Sequence, residues 1–316
     1  MQMSVSPSGW GAARHRGTSA RAFNGFLLRG IAALLVFAGT ALPEDKVLYE
    51  KDSAFNHVLV TEDSEGVRSL LFEKDGTLQS VAKPDDPDYV PLPYLRTAFV
   101  SLAFVEKPLR VLVVGLGGGS IPRFLHKHYP AMQIDCVELD PEVIAVAKQF
   151  FEFVEDPTLK AYAGDGRKFV ENVKQAYDMI FLDAFGADSI PYRLTTREFL
   201  LAVRRALTPN GVAVGNVWSR HSNPLYDSMV RTYQDVFDEL YLFTVPASGN
   251  RIFIGVPRKA AFAREDVIAK ATAIGTRDKF PYEIGDAASY GYSRMTGEPV
   301  DAKVLLDANP PQKENK

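Results

Sequence analysis

Residues 110–119 read Arg-Val-Leu-Val-Val-Gly-Leu-Gly-Gly-Gly, and this stretch decides the fold. The apolar run Val111–Val114 predicts a strand that is buried on both faces, as in a parallel sheet covered by helices. Glycines directly after such a strand let the backbone turn sharply and approach a ligand without a Cβ in the way. A glycine-rich turn alone is a weak signal, but its place between a buried strand and a helix favours a nucleotide site. Gly115, Gly117 and Gly119 are therefore candidate nucleotide-binding positions.

Strands and helices alternate along the chain after this turn. The pattern predicts strands at 134–137, 179–182 and 212–214, and helices at 141–151 and 196–207. Pro141 fits the first turn of its helix, where a missing N–H costs little. The alternation predicts a Rossmann-like α/β fold with a parallel sheet and right-handed crossovers. Ligands of such sheets lie beyond the carboxyl ends of the strands, where the polar motifs of this chain fall.

The residues before the turn follow a different pattern. Apolar runs at 58–60 and 69–72, with Asp75-Gly76 as a tight turn, predict short antiparallel strands. A polar, proline-rich break at 83–88 precedes a predicted helix at 94–105. We interpret this part as a small β module that serves as a lid or as the contact of a homodimer. The predicted domains are a separate N-terminus at 1–43, the β-hairpin module at 44–93, a nucleotide-binding catalytic domain at 94–258 and a C-terminal extension at 259–316 whose tail, from 309, is disordered.

Composition narrows the function classes. The 316-residue chain is 46% hydrophobic and 24% charged, which is an ordinary globular balance. Its formal net charge of −3 gives no bulk electrostatic case for binding nucleic acid. Cys136 is the only cysteine, so an intramolecular disulfide and a zinc site built on several thiolates are both excluded.

Glu138 ends the second predicted strand, 23 positions after Gly115. A carboxylate at this point can accept hydrogen bonds from both hydroxyls of a ribose. The alternative is a helix-capping acid, but Asp140, directly before Pro141, suits that role better. We therefore predict that Glu138 binds a ribose.

Asp165 and Gly166 lie in a Gly-Asp-Gly turn before another helical segment. A carboxylate there can accept from an adenine amino group, and the alternative is a turn residue or N-cap. Enzymes that use nicotinamide nucleotides do not need a second acid for the base. This further acid therefore favours a sulfonium nucleotide over a nicotinamide.

Asp183 closes the third predicted strand and faces the crevice where the reacting end of a nucleotide belongs. A carboxylate there can orient and desolvate an amine nucleophile, or stabilise a sulfonium. Asp188, five positions later, is either a second site acid or solvated. The side chains of Phe185, Tyr192 and Trp218 are candidates for an aromatic wall or for ordinary packing.

The order and spacing of four motifs resemble the polyamine aminopropyltransferases, the spermidine and spermine synthases. These motifs are the glycine turn at 115–119, Val-Glu-Leu-Asp at 137–140, Gly-Asp-Gly at 164–166 and Tyr-Asp-Met-Ile-Phe-Leu-Asp at 177–183. The resemblance covers about residues 47–258. It implies a parallel sheet of the S-adenosylmethionine-dependent methyltransferase type behind a small antiparallel β module. It also implies that Glu138 holds the ribose, Asp165 the adenine, and that Asp183 is catalytic.

The implied co-substrate is decarboxylated S-adenosylmethionine or S-adenosylmethionine, without a metal. The implied partner is a small amine or another nucleophilic acceptor. Aminopropyl transfer is the family default, and the alternatives are methyl transfer to an unknown small acceptor and a non-catalytic nucleotide-binding protein. A dehydrogenase is the weakest alternative.

Four positions depart from the family pattern. Gly118 stands where the synthases carry an aspartate for the ammonium of the donor, and Gly186 stands where they carry a second aspartate after the catalytic one. Arg96 replaces an acid, which predicts repulsion of a polyammonium substrate, and the loop 245–250 lacks a tyrosine. Gly118 and Arg96 favour the methyltransferase alternative.

The N-terminus has a signal-like pattern. Residues 1–30 carry four arginines and no acid, and a short apolar run at 31–37 and small residues follow before the acids at 44–45. The run is shorter than the about 20 residues of a membrane-spanning helix. The pattern predicts a secretory signal, and the alternative is a disordered N-terminus that is never cleaved. Export would conflict with the cytoplasmic supply of the donor nucleotide.

Overall fold

The computed structural model describes residues 45–74, 76–86, 88–186 and 190–310. They form a four-stranded antiparallel sheet followed by an eight-stranded, mainly parallel sheet with helices on both faces. The predicted α/β fold class, with a small antiparallel module ahead of a Rossmann-like sheet, is confirmed. The signal-like prediction for residues 1–43 lies outside the described residues, as does the tail at 311–316. The predicted domain boundaries and the homodimer stay predictions.

The N-terminal sheet has its strands in chain order, each antiparallel to the next. They are β1 (Lys46–Asp52), β2 (His57–Glu62), β3 (Arg68–Leu71) and β4 (Leu78–Ala82). The strands predicted at 58–60 and 69–72 fall in β2 and β3. Asp75 of the predicted turn lies outside the described residues.

The large sheet has the order β12-β10-β11-β9-β8-β5-β6-β7. Its strands are β5 (Arg110–Val114), β6 (Gln133–Glu138), β7 (Leu159–Ala163), β8 (Tyr177–Leu182), β9 (Leu207–Trp218), β10 (Glu239–Thr244), β11 (Asn250–Val256) and β12 (Tyr292–Arg294). Strands β5 to β9 run parallel to one another, whereas β10, β11 and β12 pair antiparallel at one edge.

The helices are α1 (Pro93–Ala98), α2 (Ser120–His128), α3 (Pro141–Phe150), α4 (Gly166–Glu171), α5 (Arg197–Ala206), α6 (Tyr226–Val236), α7 (Arg264–Asp278) and α8 (Ile284–Ser289), with 3-10 turns at Phe99–Phe104 and Tyr192–Leu194. The helices predicted at 141–151 and 196–207 match α3 and α5. The single helix predicted at 94–105 is wrong in its second half, which is a 3-10 turn. All six residues of that turn are buried, so tertiary packing rather than local propensity decides their geometry. Among the helices of the described residues, none is long and apolar enough to cross a membrane.

Strand β5 shows why the opening stretch organises the fold. Val111 and Val113 pack into one apolar layer, while Leu112 and Val114 pack into the layer on the other face of the sheet. All four are at most 2% exposed, as expected when helices cover both faces. The strand therefore ends in the middle of the molecule, and the glycine turn after it faces the functional cleft.

Candidate nucleotide-binding and catalytic site

A cleft of about 330 Å³ lies at the carboxyl ends of the parallel strands. The N-terminal sheet closes one side of it with the segment 77–80. The side chains and turns that matter below are Tyr94, Gly115, Gly117, Glu138, Gly166, Asp183, Phe185, Gly186, Arg193, Asn216, Trp218, Ser248 and Asn250, all in its lining. The cleft is where ligands of open parallel sheets are expected.

The glycine turn is shaped by a close approach of two backbones. Gly115 has a φ of +93°, and a Cβ there would lie 2.8 Å from the Cα of Ala184 and collide with the carbonyl of Asp183. Gly117 and Gly119 also have left-handed φ values, of 53° and 78°. Gly115 and Gly117 line the cleft, while Gly119 is the N-cap residue of α2. Only glycine meets these demands without strain.

Gly118 is buried against the N-terminal sheet. Its N–H donates to Ser80 Oγ at 2.8 Å. A Cβ at this position would lie 2.9 Å from both the Ser80 Cβ and the Phe151 ring. The place expected for an aspartate is therefore filled by Ser80 and Phe151.

Glu138 is held by the backbone of the glycine turn. Leu116 N–H donates to its Oε2 at 2.8 Å, and Asp140 N–H donates to its Oε1 at 3.0 Å. Burial raises the pKa of Glu138, and the backbone donors oppose that shift. Each carboxylate oxygen accepts more than one hydrogen bond, so capacity for ribose hydroxyls remains. The helix-capping role belongs to Asp140, whose side chain accepts from the N–H of Glu142.

Asp165 is the N-cap residue of α4. Its Oδ1 accepts from the N–H of Arg167 at 2.9 Å and of Lys168 at 3.4 Å, while Arg193 forms an ion pair with Oδ2. Burial raises the pKa of Asp165, but Arg193 and the helix donors outweigh it, so the pKa lies below its usual value. The capping role raised as the alternative is thus present. The adenine role stays a prediction, and Arg193, the partner of Asp165, also lines the cleft.

Gly166 has a packing role. A Cβ on Gly166 would lie 2.6 Å from Val114 Cγ1 at the end of β5. The first turn of α4 therefore approaches the sheet more closely than any other residue would allow. This approach brings the N-terminus of α4 to the cleft.

Asp183 is the one carboxylate in the lining that side-chain donors hold directly. Tyr94 Oη donates to its Oδ2 at 3.2 Å, and Asn216 Nδ2 donates to its Oδ1 at 2.9 Å. Burial raises the pKa of Asp183 to about 6, and the two donors oppose the rise. Burial and then the charge of Asp183 raise the pKa of Tyr94 well above its usual value, so Tyr94 stays a donor. Asp183 is therefore mostly ionised at neutral pH.

Sequence reasoning missed the residues that support Asp183 from behind. Asn250 Nδ2 donates to Asn216 Oδ1 at 2.8 Å, and Ser248 Oγ donates to Asn250 Oδ1 at 2.5 Å. Asn216 lies near the end of β9, and Ser248 and Asn250 come from the loop that lacks a tyrosine. In the sequence these residues are separate amide and hydroxyl side chains near strand ends. Only the pairing of β9 with β11 brings them together.

Of the three candidate wall aromatics, the structure brings two to the cleft. Phe185 and Trp218 both line it, with ring centroids 5.6 Å apart. The Tyr192 hydroxyl instead lies 2.9 Å from the carbonyl oxygens of both Leu306 and Asn309 and shares its one hydrogen between them, which is a packing role. Asp188 lies outside the described residues.

Arg96 is not among the residues that line the cleft, and its predicted repulsion of a polyammonium substrate stays a prediction. Its Nε donates to the carbonyl of Val90 at 2.7 Å, and its guanidinium lies over the ring of Tyr282, 5.3 Å from the centroid. Tyr94, two residues earlier on α1, takes the place in the cleft because neighbouring helical residues face different sides. Within the described ranges, no three His, Cys, Asp or Glu side chains converge in a way that could hold a metal ion.

Known proteins of similar sequence and structure fit this geometry. The family model for the spermine/spermidine synthase domain matches residues 97–261. A polyamine aminopropyltransferase of Vibrio vulnificus is 35% identical over 68% of this chain and 74% of its own length. The crystal structure of human methyltransferase-like protein 13 in complex with SAH is 29% identical, with a TM-score of 0.56, over 60% of this chain and 94% of that one.

A third comparison supports the fold alone. A probable spermidine synthase of Corynebacterium glutamicum has a TM-score of 0.65 over 83% of this chain and 97% of its own, at 22% identity. The aligned region of this synthase covers more of the present chain than the aligned region of the methyltransferase does. The matched domain and the Vibrio relative establish that the chain belongs to the spermine/spermidine synthase family of transferases.

Proposed function

We propose that this chain transfers an alkyl group from an adenosyl sulfonium nucleotide to an amine, with the aminopropyl group as the first candidate. The observation that carries the proposal is the placement of Asp183, a mostly buried carboxylate held by Tyr94 and Asn216 in the cleft of the glycine turn. The family relationship, including the Vibrio aminopropyltransferase, supports both the nucleotide and the aminopropyl group.

The reaction is a displacement at a carbon next to the sulfonium sulfur. The amine nitrogen forms the new C–N bond as the C–S bond breaks, and the sulfur leaves as a neutral thioether of the nucleoside. The proton of the amine passes to Asp183 or to solvent. Alignment of nitrogen, carbon and sulfur can contribute about 7–11 kcal/mol to such a reaction, so the cleft acts chiefly by positioning.

The protonation state of the acceptor sets the task of Asp183. A simple alkylammonium has a pKa of about 10, and an amine attacks only when it is neutral. The pKa of Asp183, about 6, lies closer to that of an ammonium than an ordinary aspartate does. In this role Asp183 accepts a proton from the bound ammonium, which leaves the amine neutral for attack, and then gives that proton to solvent.

Methyl transfer from S-adenosylmethionine is the second candidate, and Gly118 is the observation that favours it. A carboxylate at that position would attract the ammonium of the decarboxylated donor and repel the carboxylate of S-adenosylmethionine. Here Ser80 and Phe151 fill the space next to Gly118, so neither effect operates from this position. The SAH complex of the human methyltransferase supports the same candidate.

The test runs both donors on the full chain and identifies the nucleoside product by mass spectrometry. With putrescine and decarboxylated S-adenosylmethionine, aminopropyl transfer gives spermidine and methylthioadenosine in equal amounts. With S-adenosylmethionine and a panel of amines, methyl transfer gives S-adenosylhomocysteine. Asp183→Asn is expected to lower either rate by at least about 100-fold, as for loss of a positioned proton acceptor. Nucleotide binding without either product would place the chain among non-catalytic binding proteins.

A further inference from the structure

The hydrogen bonds behind Asp183 run in one direction only. We propose that Ser248, Asn250 and Asn216 form a positioning relay that keeps the N–H side of the Asn216 amide, and not its carbonyl, against Asp183. The relay thereby holds Asp183 as a hydrogen-bond acceptor, ready for an amine. The proposal rests on the proposed function in one respect, namely that the ionised form of Asp183 is the working form.

At the far end of the relay the backbone supplies one of the donors. Asn250 N–H donates to Ser248 Oγ at 3.2 Å, which uses the serine oxygen as an acceptor. The serine hydroxyl then donates to Asn250 Oδ1 at 2.5 Å. With its carbonyl oxygen engaged there, the Asn250 side chain presents its NH2 group to Asn216.

The middle of the relay continues to Asp183, whose ionised carboxylate can only accept and so fixes the direction of the bonds. Asn250 Nδ2 donates to Asn216 Oδ1 at 2.8 Å, and Asn216 Nδ2 donates to Asp183 Oδ1 at 2.9 Å. Asn216 is only 7% exposed, so water offers it little alternative bonding. A flipped Asn216 would set two NH2 groups against each other and a carbonyl against a carboxylate. Both contacts are unfavourable for buried groups, so the observed orientation is strongly preferred.

The loop that carries the relay is held in an uncommon conformation. Ala247, next to Ser248, has a φ of +50°, in the left-handed region that residues with a Cβ rarely adopt. Such strain persists where the surrounding contacts determine the backbone, and it is often found at functional sites. The side-chain bonds of Ser248 and Asn250 hold this loop together with the bond from the Ser219 N–H to the Gly249 carbonyl at 2.7 Å.

Few other charged groups face Asp183 in the described part of the chain. Tyr94 of α1 donates to it, and Glu138 and Arg193 line the same cleft. Glu138 is bound by backbone amides and Arg193 by Asp165. Asn216 on β9 is therefore the main group through which the loop can influence Asp183.

Asn250→Asp is the variant that reverses the relay. A carboxylate at 250 accepts from Asn216 Nδ2, which turns the Asn216 carbonyl toward Asp183. Asp183 then needs a proton to donate to that carbonyl, so we expect its pKa to rise by about one unit or more. Asn250→Leu, which removes the bond without a charge, is expected to give a smaller rise.

A double-mutant cycle separates the relay from simple charge repulsion. The Asn250→Asp change is made in the natural chain and again in an Asn216→Ala background. If the relay operates, the rise in the pKa of Asp183 caused by Asn250→Asp is much smaller without Asn216. An equal rise in both backgrounds would mean that the new charge acts through space, and the relay would be overturned.

Two measurements are made on each variant of the full chain. The first is a pH titration of the carboxyl carbon of Asp183 by NMR, assigned with Asp183→Asn, which needs no activity. The second is the pH dependence of kcat/KM for whichever transfer is observed, whose acidic limb is expected to move up by about one pH unit, a roughly tenfold loss below the limb. An unshifted NMR titration in Asn250→Asp overturns the relay even if transfer is active. A shifted titration in a chain that transfers nothing supports the relay and removes the proposed function.

Discussion

At neutral pH the carboxylate of Asp183 carries its charge in a place where water solvates it poorly. Because its pKa is raised by burial to about 6, the folded protein binds more protons than the unfolded chain between about pH 4 and pH 6. The stability contributed by this group is therefore present at low pH and lost as the pH rises through that window. Asp183→Asn keeps the shape and removes the charge.

We accordingly expect Asp183→Asn to raise the free energy of unfolding by up to about 3 kcal/mol above pH 7 and to change it little below pH 4. Urea unfolding at a series of pH values measures this difference. An equal gain at pH 4 and pH 8 would show that the charge of Asp183 is not the cause.

Gly118 offers a second test at the scale of one residue. A methyl group at this position meets Ser80 and the ring of Phe151 at 2.9 Å, so Gly118→Ala is expected to destabilise the protein by about 1–3 kcal/mol. Gly164→Ala is the matched control, because a Cβ there has no neighbour within 4 Å. Chemical unfolding should give a clearly lower free energy of unfolding for Gly118→Ala than for Gly164→Ala. Similar values would mean that Ser80 and Phe151 can shift to make room for the methyl group.

In helix α4, the residue Asp165 has two structural roles. Asp165 caps its N-terminus and pairs with Arg193, and both tasks compete with the predicted contact to adenine. Asn retains the cap, whereas Ala loses it at a cost of about 1 kcal/mol. Comparing the two variants therefore separates the contribution of Asp165 to helix stability from its contribution to ligand binding.

We expect Asp165→Asn to unfold close to the natural chain and yet to bind methylthioadenosine at least about tenfold more weakly, if the carboxylate meets the base. Asp165→Ala should lose both stability and binding. Calorimetric titration and thermal unfolding on the same samples give the answer. Unchanged binding in Asp165→Asn would reduce this residue to a helix cap.

The elements also show what sequence patterns can and cannot predict. The run Val111–Val114 and Pro141 predicted β5 and α3 because buried strands and helix N-termini have local signatures. The ion pair of Arg193 with Asp165 had no such signature, since the two lie 28 positions apart. Asn216 and Asn250 were missed for the same reason, because the antiparallel pairing of β9 with β11 brings them together.

At the scale of the whole molecule, two sheets share one cleft. Thr77 and the first three residues of β4 supply the segment 77–80 to the lining, and Ser80 accepts the N–H of Gly118. A nucleotide in the cleft would thus contact both sheets. Binding at about 100 times the dissociation constant should stabilise the fold by about 2.7 kcal/mol.

We expect methylthioadenosine to slow amide hydrogen exchange in β4 and in the glycine turn together, because both line the cleft. Mass-spectrometric exchange with and without the nucleoside measures this. Helix α7, on the far side of the 3-10 turn at Phe99–Phe104, serves as the internal control. Slower exchange in the glycine turn alone would place the nucleoside away from the N-terminal sheet.

The contact between Gly115 and the backbone of Asp183 also limits how such an enzyme can evolve. Asp183 N–H donates to the carbonyl of Val114 at 2.9 Å, and its own carbonyl lies against Gly115. The glycine turn and the carboxylate of Asp183 therefore cannot be moved independently by mutation. If the cleft binds the donor, new donor preferences are more easily acquired from the opposite wall, at 77–79, because Ser80 itself holds the glycine turn. A directed-evolution library aimed at a new alkyl donor should accordingly randomise that wall and leave the turn intact.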